Sequence, residues 1–153
     1  MKNIDIVLVS ISNPILIGIY LNEALIDTIT SDEKTSDVIS DIFEEILKKY
    51  NINTILYTSS PGSHLSTKLV YVYIKTLSIV KGINIKSVDG FFFNNNNPIK
   101  GIMGKYFVKT NKEILLKTLK INDENIKFQL PQHIDMKQFS SNIEPVYVAP
   151  AVY

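Results

Sequence analysis

The fold is decided by NIDIVLVSISNPILIGIYLNEALIDTIT, residues 3–30, which holds three apolar runs separated by two short breaks. β-Branched residues dominate each run, as is typical of strands. The breaks, Ser12-Asn13-Pro14 and Asn22-Glu23, are rich in turn-forming residues. Connections this short join neighbouring antiparallel strands, so the stretch predicts a three-stranded antiparallel meander. The predicted strands cover residues 4–10, 15–21 and 24–30.

A segment with helical spacing follows the meander. Ser31 and Asp32 offer capping oxygens, and apolar residues then recur three and four positions apart as far as Tyr50. Lys48 and Lys49 lie in the last turn, where the helix dipole favours cations. The pattern predicts a helix over residues 35–47.

A second apolar segment covers residues 65–80, between Ser63, a candidate N-cap, and Gly82, a candidate residue just past the helix end. The β-branched run at residues 69–74 is also compatible with a strand. The length of the segment between good caps favours a helix. It is apolar on almost every side except at Lys68 and Lys75, which indicates either burial on two sides or burial on one side and docking on the other.

The expected element order is β-β-β-α-β-α-β over the first 90 residues, with the later strands at residues 52–58 and 83–88. This order predicts an α/β fold with a mixed sheet. Beyond residue 90 the pattern weakens to a hairpin, residues 105–110 and 113–120, and a candidate strand at residues 126–130. We therefore divide the chain into a first subdomain, residues 1–90, and a reduced β-rich second subdomain with the C-terminal tail, residues 91–153.

Composition limits the classes of function. The 153 residues include 16 Lys and no Arg, 15 acids and no Cys, for a net charge of +1. This balance argues against an electrostatic binder of nucleic acid or membranes acting alone, and the lack of Cys excludes thiolate zinc sites and cysteine nucleophiles. Residues 81–153 hold 10 Lys against 6 acids, which fits either chance or a basic part facing an acidic partner or RNA. The sequence predicts neither a signal peptide nor a membrane span, so we expect a cytoplasmic protein.

Candidate chemistry is sparse. His64 and His133 are far apart, and neither has a partner in the sequence that would make a metal site or a catalytic pair. Ser60-Pro61-Gly62-Ser63 opens the second helix and is compatible either with plain capping or with holding an anion through backbone N–H groups. It lacks the Gly and Lys pattern of a P-loop. The sequence itself therefore predicts neither catalytic residues nor a metal site.

Three motifs occur in an order that resembles the bacterial TsaB family, also called YeaZ. Ser60-Pro61-Gly62-Ser63 before the long helix is similar to the family's Gly-Pro-Gly-Ser-Phe-Thr-Gly-x-Arg segment. Met103-Gly104-Lys105-Tyr106-Phe107 is similar to its Arg-x-Gly/Lys-Glu-x-Tyr strand, and Ile143-Glu144-Pro145-Val146-Tyr147 to its Glu-Pro-x-Tyr ending. The matches cover residues 1–93, residues 99–108 and the last ten or so.

The departures from the family pattern are equally specific. Where the family's first strand runs into Asp-Thr, this chain has Ser10-Ile11 and then Ser12. The family's first Gly becomes Ser60, its Phe becomes His64 and its Arg becomes Lys68. The chain therefore resembles a shortened and divergent member.

The resemblance implies a fold of the actin, Hsp70 and sugar-kinase type (ASKHA) and a role as a non-catalytic subunit. In the family, a TsaD-type subunit carries the metal and the nucleotide during threonylcarbamoyladenosine formation on tRNA, and a small TsaE-type ATPase joins them. We therefore expect no cofactor in this chain, ATP and a metal ion in the partner complex, contact with tRNA only through the complex, and homodimers in isolation. The resemblance places the partner-binding surface on the two helices, for which the candidates are Ile42, Glu45, Ile46, Leu69, Tyr71, Val72 and Lys75.

The alternative is an ATP-binding kinase or ATPase of the same fold. Its phosphate-facing loops would be formed by Ser10, Ser12, Ser60, Gly62 and Ser63. Against it, the chain lacks the loop Asp that organises metal and phosphates in active relatives of the fold. A peptidase-like function rests only on an old family name and lacks a nucleophile, base or metal set.

Overall fold

The computed structural model describes residues 1–11, 13–61, 64–101, 103–111, 113–121 and 127–143, with only the backbone of residues 64–66. A larger sheet and two helices form from the first 89 residues, and a small second sheet follows. The larger sheet contains β1 (Lys2–Val9), β2 (Ile15–Leu21), β3 (Ala24–Ser31), β4 (Tyr50–Ser60) and β5 (Asn84–Asp89), with α1 (Thr35–Lys49) and α2 (His64–Lys81) between its later strands. The second contains β6 (Ile99–Lys100), β7 (Lys105–Thr110) and β8 (Glu113–Thr118).

The larger sheet is mixed, with strand order β3-β2-β1-β4-β5. β1 pairs antiparallel with β2, with Val7 opposite Gly18, and parallel with β4, with Val7 opposite Leu56. The predicted β-β-β-α-β-α-β order and mixed sheet are confirmed. α1 joins β3 to β4 and α2 joins β4 to β5, so both crossovers run in the same direction across the sheet. Right-handed crossovers then place both helices on one face.

The strand period of two distributes apolar residues to both faces of the sheet. On β1, Ile4, Ile6 and Leu8 belong to the cluster under the helices, whereas Val7 and Val9 belong to the cluster on the opposite face. The helix-side cluster is completed by Phe43 of α1, Val70 and Ile74 of α2, and residues of β2, β4 and β5. An almost continuous apolar strand in the sequence is therefore explained by burial on two faces.

The face opposite the helices is covered by the first part of residues 127–143, which we call the C-terminal strap. The amide of Leu25 donates to the carbonyl of Gln132 at 2.9 Å, and the amide of Ile134 donates to the carbonyl of Glu23, also at 2.9 Å. Ile134 and Phe139 of the strap are 3% and 8% exposed and pack against this face. The strap therefore completes the part of the core that lies on the face opposite the helices.

The second sheet packs beside the first through a separate small cluster. β7 pairs antiparallel with β6 and β8, with Phe107 opposite Leu116. Phe91, Ile99 and Phe107 form its buried centre. The predicted hairpin is confirmed, although β8 ends at Thr118.

Two local predictions are wrong. Residues 127–130, the described part of the candidate strand at 126–130, form no strand: the Gln129 amide donates to the Phe93 carbonyl at 2.8 Å, and Leu130 packs against the face opposite the helices. Ser31 and Asp32 do not cap α1: the helix begins at Thr35 with Lys34 at the N-cap and no capping side chain, and Ser31 Oγ instead accepts from the Glu33 amide at 3.2 Å. Gly82 does end α2, with φ +71° and its amide donating to the carbonyl of Ser78. The candidate N-cap Ser63 lies outside the described residues.

We expect the strap to make stability depend on pH through Tyr20. Tyr20 is fully buried, its hydroxyl donates to the carbonyl of Pro131 at 2.7 Å, and burial raises its pKa to about 12 from 10.0. The unfolded chain loses this proton above about pH 10 while the folded chain keeps it, so the free energy of unfolding should fall as the pH rises from about 10 to 12. The slope is about 1.4 kcal/mol per pH unit for one group.

Urea unfolding of the native chain and of Tyr20→Phe between pH 8 and 12 measures this contribution. The variant should start less stable by about 1–3 kcal/mol, because the Pro131 carbonyl loses its donor. Its stability should then fall less steeply above pH 10 than that of the native chain. Equal slopes for the two proteins would exclude Tyr20 as the source.

Candidate partner-binding surface

The outer side of α1 is polar and charged. Val38, Ile39, Phe43 and Ile46 form the buried face, so the acids and lysines lie on the opposite side. Glu45 Oε1 accepts from Lys48 Nζ at 2.9 Å, and both side chains are well exposed. The hydrogen bond and charge of Lys48 lower the pKa of Glu45, and Glu45 in turn raises the pKa of Lys48. An exposed pair of this kind adds little stability.

The outer side of α2 is apolar. Val70 and Ile74 are buried under the helix, whereas Leu69, Val72, Ile79 and Val80 are 36%, 52%, 75% and 69% exposed. We call these four exposed residues the α2 stripe. Val72, Ile79 and Val80 follow Leu69 by three, ten and eleven positions, so all four lie on one side of the helix. Thr76 lies between them, and its hydroxyl donates to the carbonyl of Val72 at 2.8 Å. The helix thus presents a continuous apolar surface to the outside.

Charge differs between the two helices. Burial, with the nearby carboxylates of Glu44 and Asp41, raises the pKa of Tyr73 on α2. The ring of Tyr73 also makes an edge contact with Phe43, with centroids 5.8 Å apart. The α1 side of the contact between the helices is therefore acidic. On α2, the exposed Lys68 and Lys75 lie beside the α2 stripe and make that side basic.

The structure separates the predicted partner-binding residues into three groups. Leu69, Val72, Lys75 and Glu45 are exposed, and Ile42 and Tyr71 are half-buried. Ile46 is only 2% exposed and belongs to the core, so its side chain is not available to a partner and that choice is corrected. Ile79 and Val80 of the α2 stripe are not among the predicted residues. Ile79 could have been identified, because it lies seven residues, about two helical turns, after Val72. Whether any of these residues binds a partner stays a prediction.

Of the residues predicted to form phosphate-facing loops, Ser10 and Ser60 lie at the carboxyl ends of the neighbouring parallel strands β1 and β4. Ser10 is 9% exposed, and its amide donates to Thr58 Oγ1 at 3.2 Å. Ser60 is 3% exposed. Ser12, Gly62 and Ser63 lie outside the described residues. The two described serines are thus close to the expected edge of the sheet but are largely enclosed there.

Two features fill the same edge near the end of β5. Asp89 Oδ2 accepts from Lys109 Nζ of β7 at 2.6 Å, in a partly buried ion pair. Gly90 lies so close to Ile11 that a Cβ on Gly90 would overlap Ile11 Cδ1. Ile11, which follows β1, is therefore packed against the end of β5. The carboxylate of Asp89 at this edge is paired with Lys109.

A cleft of about 810 Å³ opens beside this edge, between the β1–β2 connection and the second sheet. Apolar residues that include Ile11, Ile99 and Phe128 line it, together with Lys100 and Lys127. No carboxylate is among its lining residues in the described part of the chain. The sequence does not reveal this cleft, because its walls come from three distant segments.

The remaining candidates do not converge. His133 is exposed and forms an isolated bridge with Ala24, while the side chain of His64 lies outside the described atoms. Over the described ranges, His, Asp and Glu residues form no group of three that could hold a metal ion. In the same ranges, neither helix is long and apolar enough to cross a bilayer.

Comparison with known proteins supports the fold but not a sequence family. No protein-family model matches the sequence, and no curated protein matches it. The structure of YeaZ from Pseudomonas aeruginosa matches with a TM-score of 0.58 at 8% identity, over 76% of this chain and 64% of that chain. A further structure, described as an uncharacterized protein with similarity to peptidase YeaZ from Pseudomonas aeruginosa, gives a TM-score of 0.49 at 10% identity, over 76% and 64% of the two chains.

The predicted resemblance is thereby confirmed at the level of the fold. This chain has a YeaZ-like, or TsaB-like, α/β fold and spans about 64% of the length of the YeaZ chain that it matches.

Proposed function

We propose that this chain is a non-catalytic scaffold and activator subunit of the TsaB type, which binds a TsaD-type catalytic subunit in the threonylcarbamoyladenosine modification of tRNA. The observation that carries the proposal is the α2 stripe, an exposed apolar helix face in a chain with a YeaZ-like fold. A TsaE-type ATPase joins the same complex. This chain contacts tRNA only through that complex. The proposed role places the protein in the cytoplasm.

The energetics of the α2 stripe support a docking role. Full burial of an exposed Val, Leu or Ile is worth about 1.5–3 kcal/mol, and the four residues lie together rather than scattered. Lys68 and Lys75 beside the stripe add a preference for an acidic partner surface. The acidic side of α1 and the exposed Lys68 and Lys75 of a second copy have opposite charges, which is compatible with homodimers when the partner is absent.

The carboxyl edge of the sheet supports a non-catalytic role. Phosphate transfer needs a carboxylate that organises a metal ion and a loop that approaches the phosphates. At this edge Ser10 and Ser60 are enclosed, Asp89 is paired with Lys109, and Ile11 covers Gly90. We therefore assign ATP and a metal ion to the catalytic partner, with no cofactor in this chain.

The proposal also includes the ASKHA assignment and the division of the chain. Residues 1–90 form one α/β half of that fold and carry the docking helices. Residues 91–153 are a reduced second subdomain and the C-terminal tail. Within them, the strap packs against the core of the first subdomain.

A second function, an ATP-binding kinase or ATPase of the same fold, is favoured by one observation. The cleft beside the β1–β2 connection has a volume of about 810 Å³ and contains Lys100 and Lys127 among its lining residues. An apolar pocket with two cations is chemically suited to an anionic ligand that also carries an apolar part.

Two measurements on the full chain decide between these functions. Affinity capture from its native cells, followed by identification of bound proteins, should recover the TsaD-type subunit in stoichiometric amount. Calorimetric titration of the isolated chain with Mg-ATP should give no micromolar binding. Micromolar binding with nucleotide turnover, and no TsaD-type subunit in the captured material, would favour the kinase or ATPase.

A further inference from the structure

The C-terminal strap carries the chain around the edge of the sheet to the helix side. Ser140 pairs with Ser87 on the outer edge of β5, where the Ser87 amide donates to the Ser140 carbonyl at 3.0 Å. Ser87 Oγ donates to the carbonyl of Asn142 at 2.6 Å. The next residue, Ile143, packs against the cluster under the helices rather than the one under the strap. The strap thus changes faces between Phe139 and Ile143.

The strap arrives at the flank of α2. The hydroxyl of Tyr57 donates to the carbonyl of Ile143, and the ring of Tyr57 lies 6.4 Å from that of Tyr71 on α2. Successive residues of a helix are rotated by about 100°, so Lys68 and Lys75 lie between the Tyr71 side of α2 and its outermost residues, Val72 and Ile79. The last described residue, Ile143, therefore lies on the side of α2 that carries the two lysines, with the α2 stripe beyond them.

Residues 144–153, which lie outside the described residues, have the composition to cover this surface. Their sequence is EPVYVAPAVY, with three Val, two Tyr and two Ala, one acid and no base. Two prolines disfavour a regular helix, and an extended chain of this length reaches about 33 Å. The α2 stripe from Leu69 to Val80 is about 16 Å long at 1.5 Å per residue.

We propose that residues 144–153 dock along the α2 stripe when the chain is alone. Glu144 follows Ile143 directly and so pairs with Lys68 or Lys75, while the valines and tyrosines that follow cover Leu69, Val72, Ile79 and Val80. An apolar segment and an apolar helix face, both otherwise in water and held close by the Tyr57–Ile143 hydrogen bond, are buried together at a small entropic cost.

A thiol reporter tests the docking in the full chain, since the protein has no Cys of its own. Thr76→Cys places a single thiol within the α2 stripe without removing any of its apolar side chains. Its alkylation should be at least about tenfold slower in the full chain than in a chain that ends at Ile143, the factor that corresponds to about 1.4 kcal/mol of docking free energy. Thr118→Cys on the exposed part of β8 is the matched control, and its rate should be the same in both chains.

A further variant keeps the result interpretable if the shortened chain does not fold. If the shortened chain does not unfold cooperatively, the full chain with Tyr147→Asp and Val148→Asp replaces it and should give the same fast alkylation. The proposal would be overturned if the Thr76→Cys thiol were alkylated at the same rate in the full chain as in the shortened chain or the double variant. Protection that increases with protein concentration would also overturn it, because a second copy would then be the occupant.

The regulatory consequence rests on the proposed function: residues 144–153 would compete with the TsaD-type subunit for the α2 stripe. The shortened chain should then bind that subunit at least about tenfold more tightly than the full chain. Equal affinities would contradict the competition. Failure of both chains to bind would contradict the proposed function instead, while the alkylation rates, which need no partner, would still decide the docking.

Discussion

Val72→Asp should abolish binding to the TsaD-type subunit while the variant still unfolds cooperatively. Val72 is 52% exposed near the middle of the α2 stripe, so in the free chain a carboxylate there displaces residues 144–153 and stays in water. Lys68 and Lys75 lie one turn away on either side and accommodate the new charge in the free helix. In a complex the same carboxylate is taken out of water, at a cost of about 3 kcal/mol or more, which corresponds to at least a hundredfold weaker binding.

The measurement is co-purification with the TsaD-type subunit, supported by a titration and by thermal unfolding of the free variant. Met103→Asp is the matched control, because Met103 is an apolar residue, 91% exposed, beside the second sheet. It receives the same charge away from both helices and should leave binding unchanged. Undiminished binding by Val72→Asp would show that the partner uses another face of the molecule.

The sequence predicted the element order of residues 1–90 well because these elements are encoded locally. Continuous apolar runs with breaks at Asn13-Pro14 and Asn22-Glu23 set the three strands, and two helical segments set the crossovers. Handedness then left one arrangement for the helices. Gly82 was predicted correctly to end α2 for the same reason: the left-handed conformation at a helix end is a local property that glycine favours.

The strap could not be predicted in the same way. Its contacts join residues more than 100 positions apart, such as Tyr20 and Pro131, and it has no repeating pattern of its own. An irregular segment that completes a core looks like a surface loop in the sequence, because only tertiary contacts distinguish them. For the same reason the cleft was missed, since its lining residues come from residues 11–16, 98–106 and 127–128.

The candidate surface was predicted only in part because the rotation of a helix about its axis is not encoded when both sides are apolar. α2 carries apolar residues on every side, so its buried and exposed members could not be separated from periodicity alone. On α1 the apolar face is clearer, yet Ile46 was still chosen wrongly, because Ile42 and Ile46 share one side and only packing decides how deeply each is buried.

Phe43→Ala should lower the free energy of unfolding by about 3–5 kcal/mol, far more than a substitution on the exposed side of either helix. Phe43 is fully buried between α1, α2 and the sheet, and its ring makes the edge contact with Tyr73 that joins the two helices. Typical domains of this size have only about 5–15 kcal/mol of stability, so the loss is a large share of the total.

Urea unfolding measures this loss, and Phe43→Leu is the conservative control, because it keeps much of the apolar volume and should lose considerably less. The contrast with Val72→Asp separates folding from binding on the same pair of helices. Phe43→Ala should weaken partner binding mainly through unfolding, so binding should recover at low temperature or in a stabilising osmolyte. Val72→Asp should not recover under those conditions, because its defect lies in the contact itself. Recovery of both variants would mean that the α2 stripe serves stability rather than docking.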